Sequence, residues 1–338
     1  MSHRNIAFFV PHRGCPHTCA FCNQHSISGQ AACPTAEDVR KGCEQALREI
    51  PAAHYGETEL AFFGGSFTAI DQIYMVELLT AAREFVGGGK FAGIRISTRP
   101  DCIDGEILDL LKSFGVTVIE LGAQSLNDTV LAANGRGHTA ANVRHAAKLV
   151  QDAGFTLGLQ MMTGLYQSSP ALDMETARGI AALAPDEVRI YPCVVLKNTR
   201  LAELLTAGAF VPQGVDEAAA LCADMLDLFE QRGIRILKVG LHASELVESD
   251  LLGGAYHPAF REICESLRYR KLLEKEFTNC ESGIAAVPMN KLSAAIGHKA
   301  CNRDYFAAKS IRIHFVPQPG AERELKVLLR KPMRENQL

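Results

Sequence analysis

Apolar segments of about six to eight residues recur along the chain, separated by longer amphipathic stretches. The short segments are Asn5–Pro11, Thr58–Gly64, Gly93–Arg99, Val116–Gly122, Phe155–Met161, Glu187–Cys193 and Ile234–Leu241. Between them, residues 35–50, 73–86, 104–114, 139–153, 169–183 and 215–232 repeat apolar positions at helical spacing. Gly115, Gly154 and Gly233 each follow a helical run and precede a strand, where a left-handed C-cap favours glycine. Strand-helix alternation of this length predicts parallel βαβ units, in an open doubly wound sheet or a partial barrel.

The strand faces help to choose. A parallel strand covered on both faces reads almost uniformly apolar, yet several of these alternate. Glu120, Gly122 and Gln124 oppose Ile119, Leu121 and Ala123; Ser97 and Arg99 oppose Ile96; Arg189 and Tyr191 oppose Val188 and Ile190; Lys238 and His242 oppose Leu237 and Leu241. Polar faces on four strands predict a wet, ligand-filled interior, which an incompletely closed barrel with helices outside supplies. The other reading is polar strand ends paired with one another.

Composition adds limits. The chain has 338 residues, 47% hydrophobic and 22% charged, with net charge -3. That is room for one large domain, assigned to residues 1–245, and a small α/β appendage over 246–338. In the appendage a helical run leads to Phe277, strands are expected at 283–288, 311–316 and 325–329, and helices within 290–308. A mildly acidic molecule can bind nucleic acid only locally. The last thirty residues hold Lys309, Arg312, Arg323, Lys326, Arg330, Lys331 and Arg334 against Glu322, Glu324 and Glu335, a solvated charged face or a phosphate contact. No apolar run reaches membrane-span length and no secretory pattern opens the chain, so a cytoplasmic protein with reduced thiols and no membrane partner is expected. Of the eleven cysteines, eight are scattered and read as small buried hydrophobes.

The other three are Cys15, Cys19 and Cys22, in the run Gly14-Cys15-Pro16-His17-Thr18-Cys19-Ala20-Phe21-Cys22-Asn23 directly after the first strand. Three thiolates on one loop can hold three irons of a cubane cluster and leave the fourth open, whereas an electron carrier or a structural zinc site takes four protein ligands. The alternative is half of a zinc site, completed by His12, His17 or His25. The loop falls at the carboxyl end of a strand, where α/β folds put their active sites. Further motifs end later strands. Phe62-Phe63-Gly64-Gly65-Ser66-Phe67-Thr68 lets backbone approach a ligand and adds the Ser66 hydroxyl. Ile96-Ser97-Thr98-Arg99-Pro100-Asp101 brings Ser97 and Arg99, and Ile119 to Ser125 ends on Gln124. Asn134-Gly135-Arg136-Gly137-His138-Thr139 offers a cation for an anion or a carbonyl, with Thr139 as a helix N-cap.

Together with Asp152-Ala153-Gly154-Phe155 and Ile190-Tyr191-Pro192, these strings resemble the radical S-adenosylmethionine (SAM) superfamily. Within it they are similar to the radical domain of Elongator protein 3, over roughly residues 5–245. The resemblance implies a partial (β/α)6-type barrel of parallel strands and a 4Fe-4S cluster on Cys15, Cys19 and Cys22, with SAM on the open iron. It implies Phe21 on the adenine, SAM contacts from Gly64, Gly65, Ser66, Ser97, Arg99 and Gln124, and Tyr191 and Lys238 as the catalytic side chains facing substrate. A flavodoxin- or ferredoxin-like one-electron donor would feed the cluster, SAM would be cleaved to a 5'-deoxyadenosyl radical, and the substrate would be a tRNA base. Fewer than 100 residues follow the radical domain, without a glycine-rich pyrophosphate loop, so the branch expected is one lacking the acetyltransferase domain, and acetyl-CoA is not an expected partner. The first strand also begins almost at the start, where the family has a basic extension. Two other functions stay open: a radical SAM enzyme acting on a small molecule such as a tetrapyrrole, and a non-catalytic iron-sulfur or zinc redox sensor. Tyr256, His257 and Lys299 are further candidate substrate contacts.

Overall fold

The computed structural model describes residues 4–11, 14–15, 18–29, 32–320 and 324–332. Seven parallel strands form one curled sheet, a half-barrel. They are β1 (Arg4–Val10), β2 (Thr58–Gly64), β3 (Gly93–Thr98), β4 (Val116–Gln124), β5 (Thr156–Thr163), β6 (Glu187–Pro192) and, after a short β7 (Val194–Leu196), β8 (Arg235–Val239). Spatial order follows chain order, and β1 and β8 are the two edges. The connections carry α1 (Gln24–Ser28), α2 (Ala36–Glu49), α3 (Gln72–Arg83), α4 (Gly105–Ser113), α5 (Asp128–Ala133), α6 (Ala140–Asp152), α7 (Pro170–Ala182), α8 (Arg200–Thr206) and α9 (Val215–Gln231).

Local chemistry explains these boundaries. Thr35 and Thr139 open α2 and α6 with reciprocal capping boxes, to Asp38 and Asn142. Asp104 and Ser169 cap α4 and α7 by accepting from Ile107 and Leu172 amides. Gly115, Gly154 and Gly233 take φ of +80°, +80° and +70° where the helices end. Leu60, Phe62, Ile94, Ile96, Ile119, Leu121, Leu157, Leu159, Val188 and Ile190 are buried, and they alternate along the strands with the polar inner-face residues.

The half-barrel belongs to a compact unit of residues 1–214 and 228–256, which also holds α10 (Glu245–Asp250) and β9 (Leu251–Gly254). The helical run expected to lead to Phe277 begins only at Phe260, because the residues before it form β9, which pairs antiparallel with β7. A Cβ on Gly254 would lie 2.6 Å from the Cys193 carbonyl oxygen, so glycine there is required by the pairing.

A second unit combines residues 215–227 with 257–338. It contains α11 (Phe260–Phe277), β10 (Cys280–Pro288), α12 (Leu292–Ile296), α13 (Cys301–Ala308), β11 (Arg312–Gln318) and β12 (Lys326–Pro332). Its sheet runs β11-β10-β12, parallel then antiparallel. Leu273, Phe277, Ala285, Phe306 and Ile311 form its core. Among the described residues no helix is long and apolar enough to cross a membrane.

Candidate functional site

The interior of the half-barrel has two ends of different character. In its amino half, Arg95 of β3 is 0% exposed and pairs with Glu59 at 2.8 Å and with Glu120 and Glu187 at 2.7 Å each. Glu120 also accepts from Arg189 Nε and Nη2 at 2.8 and 2.9 Å and from the Gln160 amide at 2.6 Å, and Arg235 closes on Glu187. Burial alone would raise the Glu120 carboxyl, but the Arg189 and Arg95 charges hold it below the usual carboxylate range. The wet interior expected from the alternating strands is therefore corrected at this end. Glu120 of β4 and Arg189 of β6 meet each other across the intervening β5, and free space begins above them.

At the carboxyl ends of the strands lies a cavity of about 240 Å³. Cys15, Cys19 and Cys22 line it together with Phe21, Gly64, Gly65, Ser66, Ser97, Arg99, Gln124 and Arg136. The cysteine loop is fixed from several sides. At Gly14, φ +74°, a Cβ would stand 2.2 Å from the Ser66 carbonyl oxygen, so the loop lies directly on the glycine-rich turn after β2. The Ala20 amide donates to the Asn134 carbonyl at 3.0 Å. Arg136 donates through Nη1 to Cys19 Sγ at 3.1 Å and through Nη2 to the Gly122 carbonyl at 2.7 Å, filling at once both roles its glycine-flanked loop suggested.

Ser66 and Arg99 spend much of their capacity on the site's own frame. Ser66 Oγ accepts from the Arg99 amide at 3.1 Å and bonds Thr98 Oγ1 at 2.8 Å. Arg99 forks onto Asp101 at 3.0 and 2.7 Å. Of the side chains that line this cavity, three keep a buried polar atom with no hydrogen-bond partner among the described residues: Arg99 Nη1, Gln124 Oε1 and Arg136 Nε. Gln124 ends β4 at φ +62°, beyond a register shift that follows Gly122, and its side chain lines the cavity.

Burial, then the neighbouring Cys19 charge, raises the Cys15 thiol; burial, then Cys19 and Cys15, pushes Cys22 up to about 12. Thiolates so placed need a cation to stabilise them. Among the described residues no three His, Cys, Asp or Glu side chains could hold a single metal ion, but a cubane takes each thiolate on a different iron. His12, His17 and the side chain of His25, which a zinc site would need, lie outside the described residues. Crowded thiols beside donors and an acceptor without partners fit a cluster and a small ligand that carries both an amino and a carboxylate group.

A second cavity, of about 400 Å³, adjoins the first and shares Phe21, Cys22, Gln24, Gly64, Ser97, Gln124 and Gln160 with it. Its far wall brings Tyr191 and Lys238 together with Arg189 and His242, against apolar Phe9, Phe63, Met162 and Leu196. Burial raises Tyr191, while burial and then the Lys238 charge lower His242. Gln24 and Gln160 escaped the sequence reading. Gln160 sits on β5 between Leu159 and Met161, the same alternation that marked Glu120, whereas Gln24 reaches Gly64 at 3.0 Å from a five-residue helix without a periodic signal. Tyr256 lies elsewhere in this unit with its hydroxyl on Glu248, and His257 and Lys299 belong to the second unit.

Residues 9–171 match the model of the radical SAM superfamily, and residues 185–269 that of the radical SAM C-terminal domain. The chain belongs to the radical SAM superfamily. It is an Elongator protein 3-like member of that enzyme superfamily. Over 289 residues, 76% of its length, it is 26% identical to a protein named tRNA uridine(34) acetyltransferase from Dehalococcoides mccartyi (strain CBDB1), of which it spans 62%. It is 28% identical to the human Elongator complex protein 3 over 193 residues, which are 51% of this chain and 35% of the human one. The chain thus spans less than two thirds of the length of these relatives. A solved structure of the archaeal Elp3 of Methanocaldococcus infernus with an N-terminal deletion superposes with a TM-score of 0.63 at 21% identity, covering 81% of this chain and 63% of that one; the two share a fold.

Proposed function

We propose that this chain binds a 4Fe-4S cluster through Cys15, Cys19 and Cys22, holds SAM beside it, and acts on an RNA base, with tRNA as the RNA class its relatives' names suggest. The observation that carries this proposal is the junction of the two cavities, where Phe21, Cys22, Gln24, Gly64, Ser97, Gln124 and Gln160 belong to both. A small ligand held on the cysteine side would face a substrate on the other.

When bound, the cluster and SAM supply reductive cleavage of SAM and, from it, hydrogen-atom abstraction from unactivated C–H bonds. The protein's own share is binding, orientation and exclusion of water. Arg136 anchors Cys19 to the end of β4. Arg99 Nη1 and Gln124 Oε1 are the donor and acceptor available to the carboxylate and amino groups of SAM, with Gly64 and Gly65 leaving backbone space and Phe21 an aromatic cover. On the substrate side Tyr191 and Lys238 offer polar contacts beside Arg189, which Glu120 fixes in place, while Phe9, Phe63 and Met162 make the rest apolar. About 400 Å³ suits a nucleoside-sized group better than a macrocycle, and a base entering it must leave its stack. A flavodoxin- or ferredoxin-like donor would supply the electron.

The test is anaerobic reconstitution with iron and sulfide, followed by dithionite and SAM, with 5'-deoxyadenosine as the readout. Cys19→Ala is expected to bleach the cluster absorption and abolish cleavage. An intact cluster that neither binds nor cleaves SAM would overturn the proposal.

A further inference from the structure

The three-stranded sheet of the second unit has one face covered and one open. Ile313, Phe315 and Val327 pack on the cluster of Leu273, Phe277 and Phe306, so the residues that alternate with them point away from it. Register puts those residues in three rows. Arg312, Ser282 and Lys331 stand side by side, then His314, Ile284 and Leu329, then Val316, Ala286 and Lys326. None of the nine is acidic. Arg312, His314, Lys326, Leu329 and Lys331 are exposed, Leu329 to 55%. A slip between Ile284 and Ala285 adds Leu328, 60% exposed, on the same edge strand. Lys331 meets Glu281 at 3.0 Å, whereas Arg312, His314 and Lys326 have no ion-pair partner among the described residues.

We propose that this face binds single-stranded RNA; the proposal rests on the RNA reading of the active site and extends it to a second contact surface. The cations sit on the outer strands β11 and β12, beside Val316, Leu328 and Leu329, and the central β10 adds Ser282, Ile284 and the buried Ala286. A merely solvated face has no use for two leucines more than half exposed beside an imidazole. Strands about 4.8 Å apart set the cations of β11 and β12 at the two edges of a narrow platform. Phosphates would meet Arg312, Lys326 and Lys331, and bases would lie on His314, Ile284 and Leu329, the division of labour of sheet surfaces that bind single strands. The overall charge of -3 makes such a contact local, and its cations are those that the sequence showed as a carboxyl-terminal excess.

The test uses the full chain, reconstituted as above, and a short labelled oligoribonucleotide, single-stranded or in duplex, with anisotropy read across a salt series. The triple variant Arg312→Glu, Lys326→Glu, Lys331→Glu is expected to weaken single-strand binding about tenfold or more and to flatten the salt dependence by about 2, since each phosphate contact contributes ~0.7 to the slope. His314→Ala is expected to lose about fivefold with the slope unchanged. Formation of 5'-deoxyadenosine without RNA stays the same in both variants. Equal RNA affinity of wild type and triple variant overturns the proposal but leaves the active-site reading intact. Wild type that cleaves SAM yet binds no RNA at low salt overturns both. A triple variant that keeps RNA but loses reduction by an acidic flavodoxin, while dithionite still works, makes the face a donor dock and also overturns the proposal.

Discussion

The two ends of the half-barrel interior are built from alternate residues of the same strands, yet one is saturated and the other is not. Around Arg95, three carboxylates and three guanidinium groups answer one another within a buried network. A few residues further along the strands, Arg99, Gln124 and Arg136 each keep a buried polar atom without a hydrogen-bond partner among the described residues, whereas the two floor atoms that make no hydrogen bond, Arg95 Nη2 and Glu187 Oε1, lie against the opposite charges of Glu59 and Arg235. Buried polar atoms in folded proteins are nearly always bonded, so the contrast separates floor from site. Saturation marks the part that holds the barrel together, and vacancy of bonding capacity marks where a ligand belongs.

The largest expected effect falls on the floor. Arg95→Ala would leave Glu59, Glu120 and Glu187 facing each other without their common cation. Breaking a buried ion pair from one side costs about 3–5 kcal/mol, and urea titration of the variant is expected to show a loss of that order. A loss below about 1 kcal/mol would mean that the network is hydrated and that the two ends of the interior differ little.

Acid should unfold the two ends in different windows. At the carboxyl end, burial, then the Arg136 charge, lowers His138 to about 4, and the ring donates from Nε2 to the Ala123 carbonyl at 3.2 Å. Its folded value lies below the ordinary 6.5, so its contribution is complete above pH 6.5 and is lost as pH falls toward 4. The drop amounts to about 3 kcal/mol at 1.36 per unit. Glu120, also lowered, keeps its contribution down to about pH 4.3 and loses it only below. Stability measured from pH 7 to pH 3 is expected to fall in two stages, and His138→Gln is expected to shrink the first, to which the likewise lowered His242 also contributes, and to leave the second unchanged. A single-stage profile in both proteins would refute the separation.

How much of this was legible depended on which physical rule was local. Period-two alternation exposed the inner faces of β3, β4, β6 and β8, and it placed Gln124, Arg99, Tyr191 and Lys238 around one interior. Alternation reports the face of a strand but not the height, so Glu120 read as cavity lining when it belongs to the floor, while Arg189 both pairs with it and lines the larger cavity. Arg95, two residues before Ser97 on the same face, passed unnoticed, because its three partners come from three other strands. The short α5, α8 and α10 carry too few turns for a helical period. In the second unit the basic residues were visible as a charge excess, but only the pairing of β10 with β11 and β12 shows that Arg312, Lys326 and Lys331 share a face with His314 and Leu329.

The smallest effect on stability is expected where the effect on binding is large. Gln124 holds φ +62°, a conformation that asparagine accepts better than most residues, so Gln124→Asn keeps the backbone while drawing the amide back by one methylene. Its Oε1 has no partner among the described residues, so withdrawing it breaks no bond of the fold, and stability should shift by no more than about 0.5 kcal/mol. If that oxygen accepts from the amino group of SAM, the dissociation constant measured by equilibrium dialysis on the reconstituted protein should rise about tenfold, the scale of one lost charge-assisted hydrogen bond. Arg95→Ala should show the reverse pattern, a large loss of stability with SAM affinity kept under conditions where the variant is folded. Should Gln124→Asn destabilise the fold as much as Arg95→Ala, the carboxyl end would be part of the scaffold like the floor, and unpaired bonding capacity would not mark a site in this barrel.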